Sequence, residues 1–304
     1  MKKIRVIILN FHQIDATIEC IKSLSQQNYP LVDVVVVDNA PTAPEIEEIK
    51  QKLPFYVKHV VNEKNVGFAA GNNTGTQEFK DFLGPEYYFF LNNDTVLNDP
   101  QTIQSLVACL EADEKAAAVS PLINTLSSSV SVRNQIQVRR NAQFRDVVVA
   151  YSPLLKRLPF LNKIYSRHVY AELSPIENKV YDVDTINGAA FLIKQTVYEQ
   201  IGGIDENTFL YFEEIILGNK INFLGLKCML DGRTIVEHHQ GLSSGKRKTT
   251  IGRKMFEYEV ESQQYFCKKY LKVGNLRIDF HRFCRNLDWH LLQIVGVYRK
   301  IYGK

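Results

Sequence analysis

The sequence predicts an α/β fold, a mostly parallel central sheet flanked by helices, with a helical extension at the C-terminal end. Three observations carry this. Over the first 120 residues, short apolar runs rich in β-branched and aromatic residues alternate with segments of helical period, which is the pattern of strand–helix layering. Each of those runs ends in Asn or Asp. Beyond residue 245 the chain turns basic and aromatic and closes on an amphipathic stripe.

The apolar runs at 4–9, 31–37, 57–61 and 87–91 suit strands buried on both faces of a parallel sheet. Between the first two, Ile14, Ile18, Ile21 and Leu24 recur at helical spacing, and Asp99-Pro100 opens another helical segment. The four strands end in Asn10, in Asp38-Asn39, in Asn62 with Asn65, and in Asn92-Asn93-Asp94. Any one of these could be a turn. Four on one edge read as a ligand site, because open parallel sheets bind ligands at the carboxyl ends of their strands.

Residues 125–180 break the pattern with Ser127-Ser128-Ser129, Pro153, Pro159 and a series of basic residues from Arg133 to Arg167. Two readings stay open there: a solvated, mobile excursion, or a variable insertion facing an anionic acceptor. Regular structure resumes at Tyr181. Residues 187–193 begin small and end strand-like, a short helix stops at Gly202-Gly203, and Ile216, Leu217, Ile221 and Leu224 line one face of a helix closed by Gly225. The stripe of the tail is Leu287, Leu291, Ile294, Val295, Tyr298 and Ile301.

Composition narrows the classes. With 304 residues, 45% hydrophobic and 23% charged, the chain can bury a core in one or two domains. It has no run of eighteen apolar residues, and the apolar run of its N-terminus is too short for a secretion signal. Five scattered cysteines without metal-ligand spacing suit a reducing cytoplasm and make no case for a reactive thiol. Net charge is +4, but residues 246–304 carry fourteen Lys/Arg against five Asp/Glu, or +9, which leaves −5 on the first 245. A basic tail on an acidic body points to an anionic surface such as phospholipid. The acidic body argues against nucleic acid.

The densest motif is residues 65–75, Asn-Val-Gly-Phe-Ala-Ala-Gly-Asn-Asn-Thr-Gly, followed by Leu91-Asn92-Asn93-Asp94. Glycines and carboxamides so concentrated suit a backbone that approaches a polar ligand, and Gly71 and Gly75 also fit a tight helix entry. Further on stand Gly188-Ala189, Gly202-Gly203-Ile204-Asp205-Glu206, Glu213-Glu214, and the His-x-x-Gly-x-Ser pattern over 238–243. In this order, with Val37-Asp38-Asn39, they resemble glycosyltransferase family 2, and most of all its bacterial rhamnosyltransferase-like branch. The resemblance spans roughly residues 3–245 and excludes the tail.

The resemblance implies a Rossmann-like GT-A fold and an inverting transfer of a sugar from a nucleoside diphosphate. It implies that Asp38 meets the nucleotide base or ribose, with Asn10, Asn39, Asn65, Gly67, Asn92 and Asn93 on the donor side. The family's Asp-x-Asp metal signature corresponds to 92–94, which leaves Asp94 as its one carboxylate, with His238 as a further ligand. A hard cation, Mg²⁺ or Mn²⁺, accepts Asp oxygen together with diphosphate oxygens and water, so metal and donor are expected to bind together. Glu214 is the candidate general base and Glu213 its alternative; the family usually has Asp at 214 and a second Asp where Ile216 stands. Gly188, Ala189, Asp205 and Glu206 fall on the acceptor side.

The expected activity is thus transfer of rhamnose or a hexose, from a dTDP- or UDP-linked donor, to a lipid-linked saccharide in bacterial surface polysaccharide synthesis. The expected location is cytoplasmic, peripheral on the inner face of the membrane. The tail fits an interfacial membrane helix or, equally, a packing or homodimer helix. A non-catalytic domain that binds nucleotide-sugar or scaffolds an assembly complex is the alternative, motivated by Asn92 and Ile216.

Overall fold

The structure, a computed structural model, describes residues 1–77, 84–239 and 252–302, with side chains to residue 294. The predicted boundary at 245, the Gly-x-Ser end of the His238 motif and the side chains of Val295, Tyr298 and Ile301 lie outside the described residues. The first half alternates strands and helices: β1 (Ile4–Asn10), α1 (Ile14–Ser25), β2 (Val32–Asn39), α2 (Ala43–Lys52), β3 (Val57–Asn62), α3 (Gly67–Thr74) and β4 (Tyr87–Asn92). After these come β5 (Thr95–Val96), α4 (Thr102–Glu111), β6 (Ala116–Thr125), α5 (Phe144–Ala150), α6 (Pro159–His168), β7 (Val180–Val183) and β8 (Ala190–Lys194). The chain continues through α7 (Gln195–Gln200), α8 (Glu213–Phe223), β9 (Lys227–His238), α9 (Arg253–Lys269) and α10 (Asn275–Tyr302).

One sheet, in the order β3-β2-β1-β4-β8-β6-β9-β5 with β7 also on β9, organises these elements. β1 to β4 are parallel, β8 runs against both β4 and β6, and β6 is parallel to β9. The alternation of side chains along a strand feeds two layers. Ile4, Val6 and Ile8 join one core with Val34, Val36 and Phe89, whereas Ile7, Val35, Val37 and Phe90 join the core on the other face. Burial on both faces is why these strands read as continuous apolar runs.

Residues 67–74 form a helix rather than an open loop, and Gly71 within it and Gly75 at its C-cap have packing reasons. A β-carbon on Gly75 would lie 2.5 Å from Ile7 Cγ2, and one on Gly71 would lie 2.6 Å from Leu9 Cδ1. They let α3 lie directly on β1. Gly75→Ala is therefore expected to cost about 1–3 kcal/mol, the usual cost of overpacking, read as a fall in the denaturant midpoint at unchanged slope.

Residues 125–180 are solvated only in part: 126–131 are exposed, but the stretch also has a buried framework. They carry α5 and α6, bury Val147, His168 and Asp146, and tie Asp146 to Arg167 at 2.9 Å. The tail is helical and packs back: Phe266, Cys267 and Ile278 share a third core with Val147, Phe212, Ile215 and Ile216. Buried Arg285 of α10 pairs with Glu259 of α9 at 3.1 Å and donates to the carbonyl of Tyr151. All five cysteines are free thiols, and burial pushes those of Cys20 and Cys109 up to about 12.

Candidate functional site

The carboxyl ends of β1, β2 and β4 meet in a hydrogen-bonded group. Asn10 donates Nδ2 to Asp38 Oδ1 at 2.9 Å, and its own Oδ1 accepts from Thr17 Oγ1 at 2.9 Å and Asn93 Nδ2 at 3.1 Å. His59, on β3, stands 3.4 Å from the second Asp38 oxygen. Asp38, Asn10 and Asn93 are all buried. The amides of Asn10 and Asn93 are thus engaged inside the fold and fix both Asp38 and the turn between β4 and β5.

Asn39 latches the segment between β3 and α3. Its Nδ2 donates to Asn65 Oδ1 at 2.9 Å and its Oδ1 accepts the Val66 N–H at 3.2 Å. Asn65 Oδ1 also takes the Gly67 N–H at 3.0 Å. Gly67 has φ +87°, and a β-carbon there would meet the carbonyl oxygen of Phe209 at 2.5 Å, so only glycine fits this crossing of two chain segments. Asn39, Asn65, Gly67, Asn92, Asn93 and Asp94 line one open cleft of about 330 Å³, whose apolar wall comes from Phe11, Phe68, Phe209, Leu210 and Met255.

β5 pairs with the end of β9, so Thr95 stands opposite His238. That register brings His238 Nε2 to 3.0 Å from Asp94 Oδ1, and the His239 N–H closes the turn on the Asp94 carbonyl at 2.8 Å. One carboxylate oxygen and one imidazole nitrogen side by side are suitable donors for a divalent cation. Among the described residues no group of three His, Cys, Asp or Glu could hold a metal. The pair fits a cation that takes its remaining ligands from diphosphate and water.

Glu213 and Glu214 open α8, where the helix dipole favours negative charge, yet their surroundings differ. Glu213 is 5% exposed, and its Oε1 has no hydrogen-bond partner among the described residues. Burial first, and then the neighbouring Glu214 charge, raise its pKa well above the ordinary value. Glu214 is half-buried and faces Gly188: a β-carbon on that glycine would lie 4.0 Å from Glu214 Oε2. The next residue, Ala189, accepts the Asn92 N–H at 2.8 Å. Gly188 and Ala189 thus bridge the helix that bears the carboxylates and the turn that bears Asp94.

The remaining predicted acceptor-side residues are anchored. Asn73 clamps the glycine turn, donating to the Ile204 carbonyl at 2.9 Å and to Glu206 Oε1 at 2.7 Å. Asp205 is 9% exposed and accepts from Asn207, Tyr265 and Tyr270. Burial alone would raise its pKa; the hydrogen bonds from Tyr270, Asn207 and Tyr265 outweigh it and hold the group down to about 2.

Sequence reasoning missed His59, Phe209 and Met255. His59 sits mid-strand in a run that reads as packing. Met255 lies far along the chain from the other cleft residues, and no spacing announces it.

Comparison with known proteins bears on this arrangement. The family model described as Glycosyl transferase family 2 matches residues 5–173, more than half of the chain. The N-acetylglucosaminyl-diphospho-decaprenol L-rhamnosyltransferase of Mycobacterium tuberculosis is 24% identical over 232 residues, which cover 74% of this chain and 72% of that protein. Among solved structures, the mannosyltransferase PcManGT of Pyrobaculum calidifontis, in complex with GDP-Man and Mn²⁺, superposes with a TM-score of 0.55 at 14% identity. That match covers 100% of this chain and 76% of that one. GalNAc-T7 with UDP, GalNAc and Mn²⁺ gives a TM-score of 0.60 at 17% identity, over 99% of this chain and 59% of that one. At these identities the structural likeness speaks for the fold, which is GT-A with a C-terminal helical part.

Proposed function

The chain belongs to glycosyl transferase family 2 and is a glycosyltransferase; from that premise we propose that it transfers rhamnose or a hexose, with inversion, from a dTDP- or UDP-linked donor to a lipid-linked saccharide of a bacterial surface polysaccharide. One observation carries the reading. Glu214 stands over Gly188, and the next residue, Ala189, accepts the N–H of Asn92, so a carboxylate lies beside the strand end that leads into the Asp94–His238 pair.

In this reading Asp38 meets the base or ribose, held in place by Asn10 and His59. Asn39, Asn65 and Gly67 form the wall beside the donor, near Asn92 and Asn93. Asp94 and His238 would hold Mg²⁺ or Mn²⁺, which supplies charge stabilisation of the departing diphosphate when bound. Glu214 takes the proton of the acceptor hydroxyl, and Gly188 leaves that hydroxyl room to approach. Asp205 and Glu206 order the acceptor-side loop. The lipid-linked acceptor rests on the mycobacterial relative, whose name gives a decaprenyl diphosphate.

A thermal-shift screen tests donor and metal together. A ligand at a hundredfold excess over its Kd stabilises the native state by about 2.7 kcal/mol. One nucleotide-sugar is expected to raise the melting temperature with Mn²⁺ and to lose most of that shift with EDTA. No shift with any dTDP- or UDP-sugar would sink the donor assignment. The non-catalytic alternative, suggested by Asn92 and Ile216, predicts binding without metal-dependent donor hydrolysis.

Peripheral membrane contact belongs to the same reading, and α10 supports it. Leu276, Phe280, Phe283, Leu287 and Ile294 share one face at helical spacing and are 44–88% exposed, while Arg285 and Asp288 on the opposite face are buried. No described helix is long and apolar enough to cross a membrane, and the basic tail suits an anionic leaflet. The enzyme is expected to float with vesicles containing anionic lipid, and Phe280→Ser/Phe283→Ser to lose most of that binding. A concentration-dependent dimer that the same pair abolishes, without vesicle binding, would assign the face to a second copy instead.

A further inference from the structure

The residues just before Glu214 are held by a helix that lies beyond the family match. Tyr211 and Phe212 adopt φ values of +73° and +72° in succession, a left-handed conformation that bulky side chains avoid unless their surroundings over-determine it. The surroundings here are α9. Tyr258 stacks on Phe209 with ring centroids 4.3 Å apart, Ser262 Oγ donates to the Leu210 carbonyl at 3.0 Å, and Phe266 packs on Phe212 at 5.7 Å. Tyr265, in the same turn, and Tyr270, just past the helix end, donate to Asp205 Oδ2 at 2.9 and 2.5 Å.

These contacts fall at 258, 262, 265, 266 and 270, the spacing of one helical face. They meet the chain at 205, 209, 210 and 212, so one side of α9 runs along the whole stretch from the glycine turn to the start of α8. Met255, one turn before Tyr258, reaches the donor cleft itself. Asp205 is the one charged anchor in this series, and both phenols converge on it.

We propose that α9 is part of the catalytic centre, and that Tyr265 and Tyr270 are positioning residues which act through Asp205 to hold the segment bearing Glu214 in place for transfer. The consequence for the reaction rests on Glu214 being the base; the clamp itself does not. With both phenols gone, the buried carboxylate keeps, among the described residues, the hydrogen bonds from Asn207, and the stretch leading to the left-handed pair loses its charged anchor while Phe209 and Leu210 keep theirs. Displacements of about 1 Å at a reacting group can cost on the order of 10²-fold in rate.

The test uses the full chain carrying Tyr265→Phe/Tyr270→Phe, Asp205→Ala, the combination of these, and Glu214→Gln. Hydrogen exchange reads the clamp without any activity. In the tyrosine variant the amides of 205–214 are expected to lose protection, while those of β1 to β4 keep it and UDP with Mn²⁺ binds within twofold of the native chain. Turnover is read as hydrolysis of dTDP-rhamnose and UDP-glucose: kcat is expected to fall tenfold or more with KM within twofold, and the combined variant to be no worse than Asp205→Ala. If Asp205→Ala does not fold, the tyrosine variant decides alone. Unchanged protection overturns the proposal, as does lost protection with kcat within twofold of native. A Glu214→Gln enzyme that still turns over removes the base assignment and leaves the exchange result standing.

Discussion

Replacing Glu214 by glutamine is expected to lower glycosyl transfer by about 10²–10⁴-fold, the usual contribution of a positioned general base, with UDP and Mn²⁺ bound as in the native chain. Glutamine keeps the shape and the hydrogen-bonding oxygen but cannot accept the acceptor's proton. The companion substitution, Glu213→Gln, separates the two carboxylates. Glu213 is buried, and its burial and the adjacent Glu214 charge favour the protonated form, so an uncharged amide of the same shape is the milder change there. Its effect on kcat is expected to stay below about tenfold, less than the loss of a general base. Initial rates at saturating donor, compared with donor affinity by calorimetry, distinguish the outcomes. Near-normal turnover in Glu214→Gln would end that assignment, and a larger loss in Glu213→Gln would transfer it. Glu214→Asp restores the residue usual in the family and shortens the reach by one methylene. Partial activity is expected from it, with the deficit in kcat rather than KM.

The elements visible in the sequence are those that one physical rule specifies alone. β1 to β4 are buried on both faces, so their apolar runs stand out, and their polar ends mark one sheet edge without further knowledge. β6 and β9 escape notice because their pairing is irregular. The register slips between Pro121 and Leu122, and Gly232 sits where a β-carbon would come within 2.3 Å of the Glu177 carbonyl. Asp231-Gly232-Arg233 therefore interrupts a strand that otherwise delivers His238 to the site.

The glycines of 65–75 show how a correct motif can have more than one cause. Gly67 is required by the crossing with Phe209 at the cleft, whereas Gly71 and Gly75 are required by Leu9 and Ile7 beneath the helix. Sequence spacing cannot separate these causes, since both call for the missing β-carbon. The contribution of α9 was legible only as a basic, aromatic tail. Nothing in the sequence assigns a role to its tyrosines, because the partner of Tyr265 and Tyr270, Asp205, lies more than fifty residues away.

Asp94→Asn is expected to uncouple metal from donor. The native chain offers a cation Asp94 Oδ1 and the nearby His238 Nε2, and no described group of three ligands, so Mn²⁺ alone should bind weakly and UDP should tighten it. By linkage, Mn²⁺ tightens UDP by the same factor. With Asn at 94 the site keeps an imidazole and neutral oxygens, which hard cations favour less, and the factor should approach one. Loss of about 3 kcal/mol of leaving-group stabilisation corresponds to roughly 10²-fold in turnover. Calorimetric titration of UDP with and without Mn²⁺ measures the coupling directly, and equal coupling in the native and Asp94→Asn chains would exclude Asp94 as a ligand. The converse substitution tests the same physics in the direction of gain. Asn92→Asp adds a second carboxylate two residues from Asp94, and it is expected to strengthen Mn²⁺ binding without nucleotide and to shrink the dependence of metal on donor. If Asn92→Asp leaves Mn²⁺ affinity unchanged, the side chain of residue 92 does not face the cation, and a missing second carboxylate at that position is not what couples metal to donor.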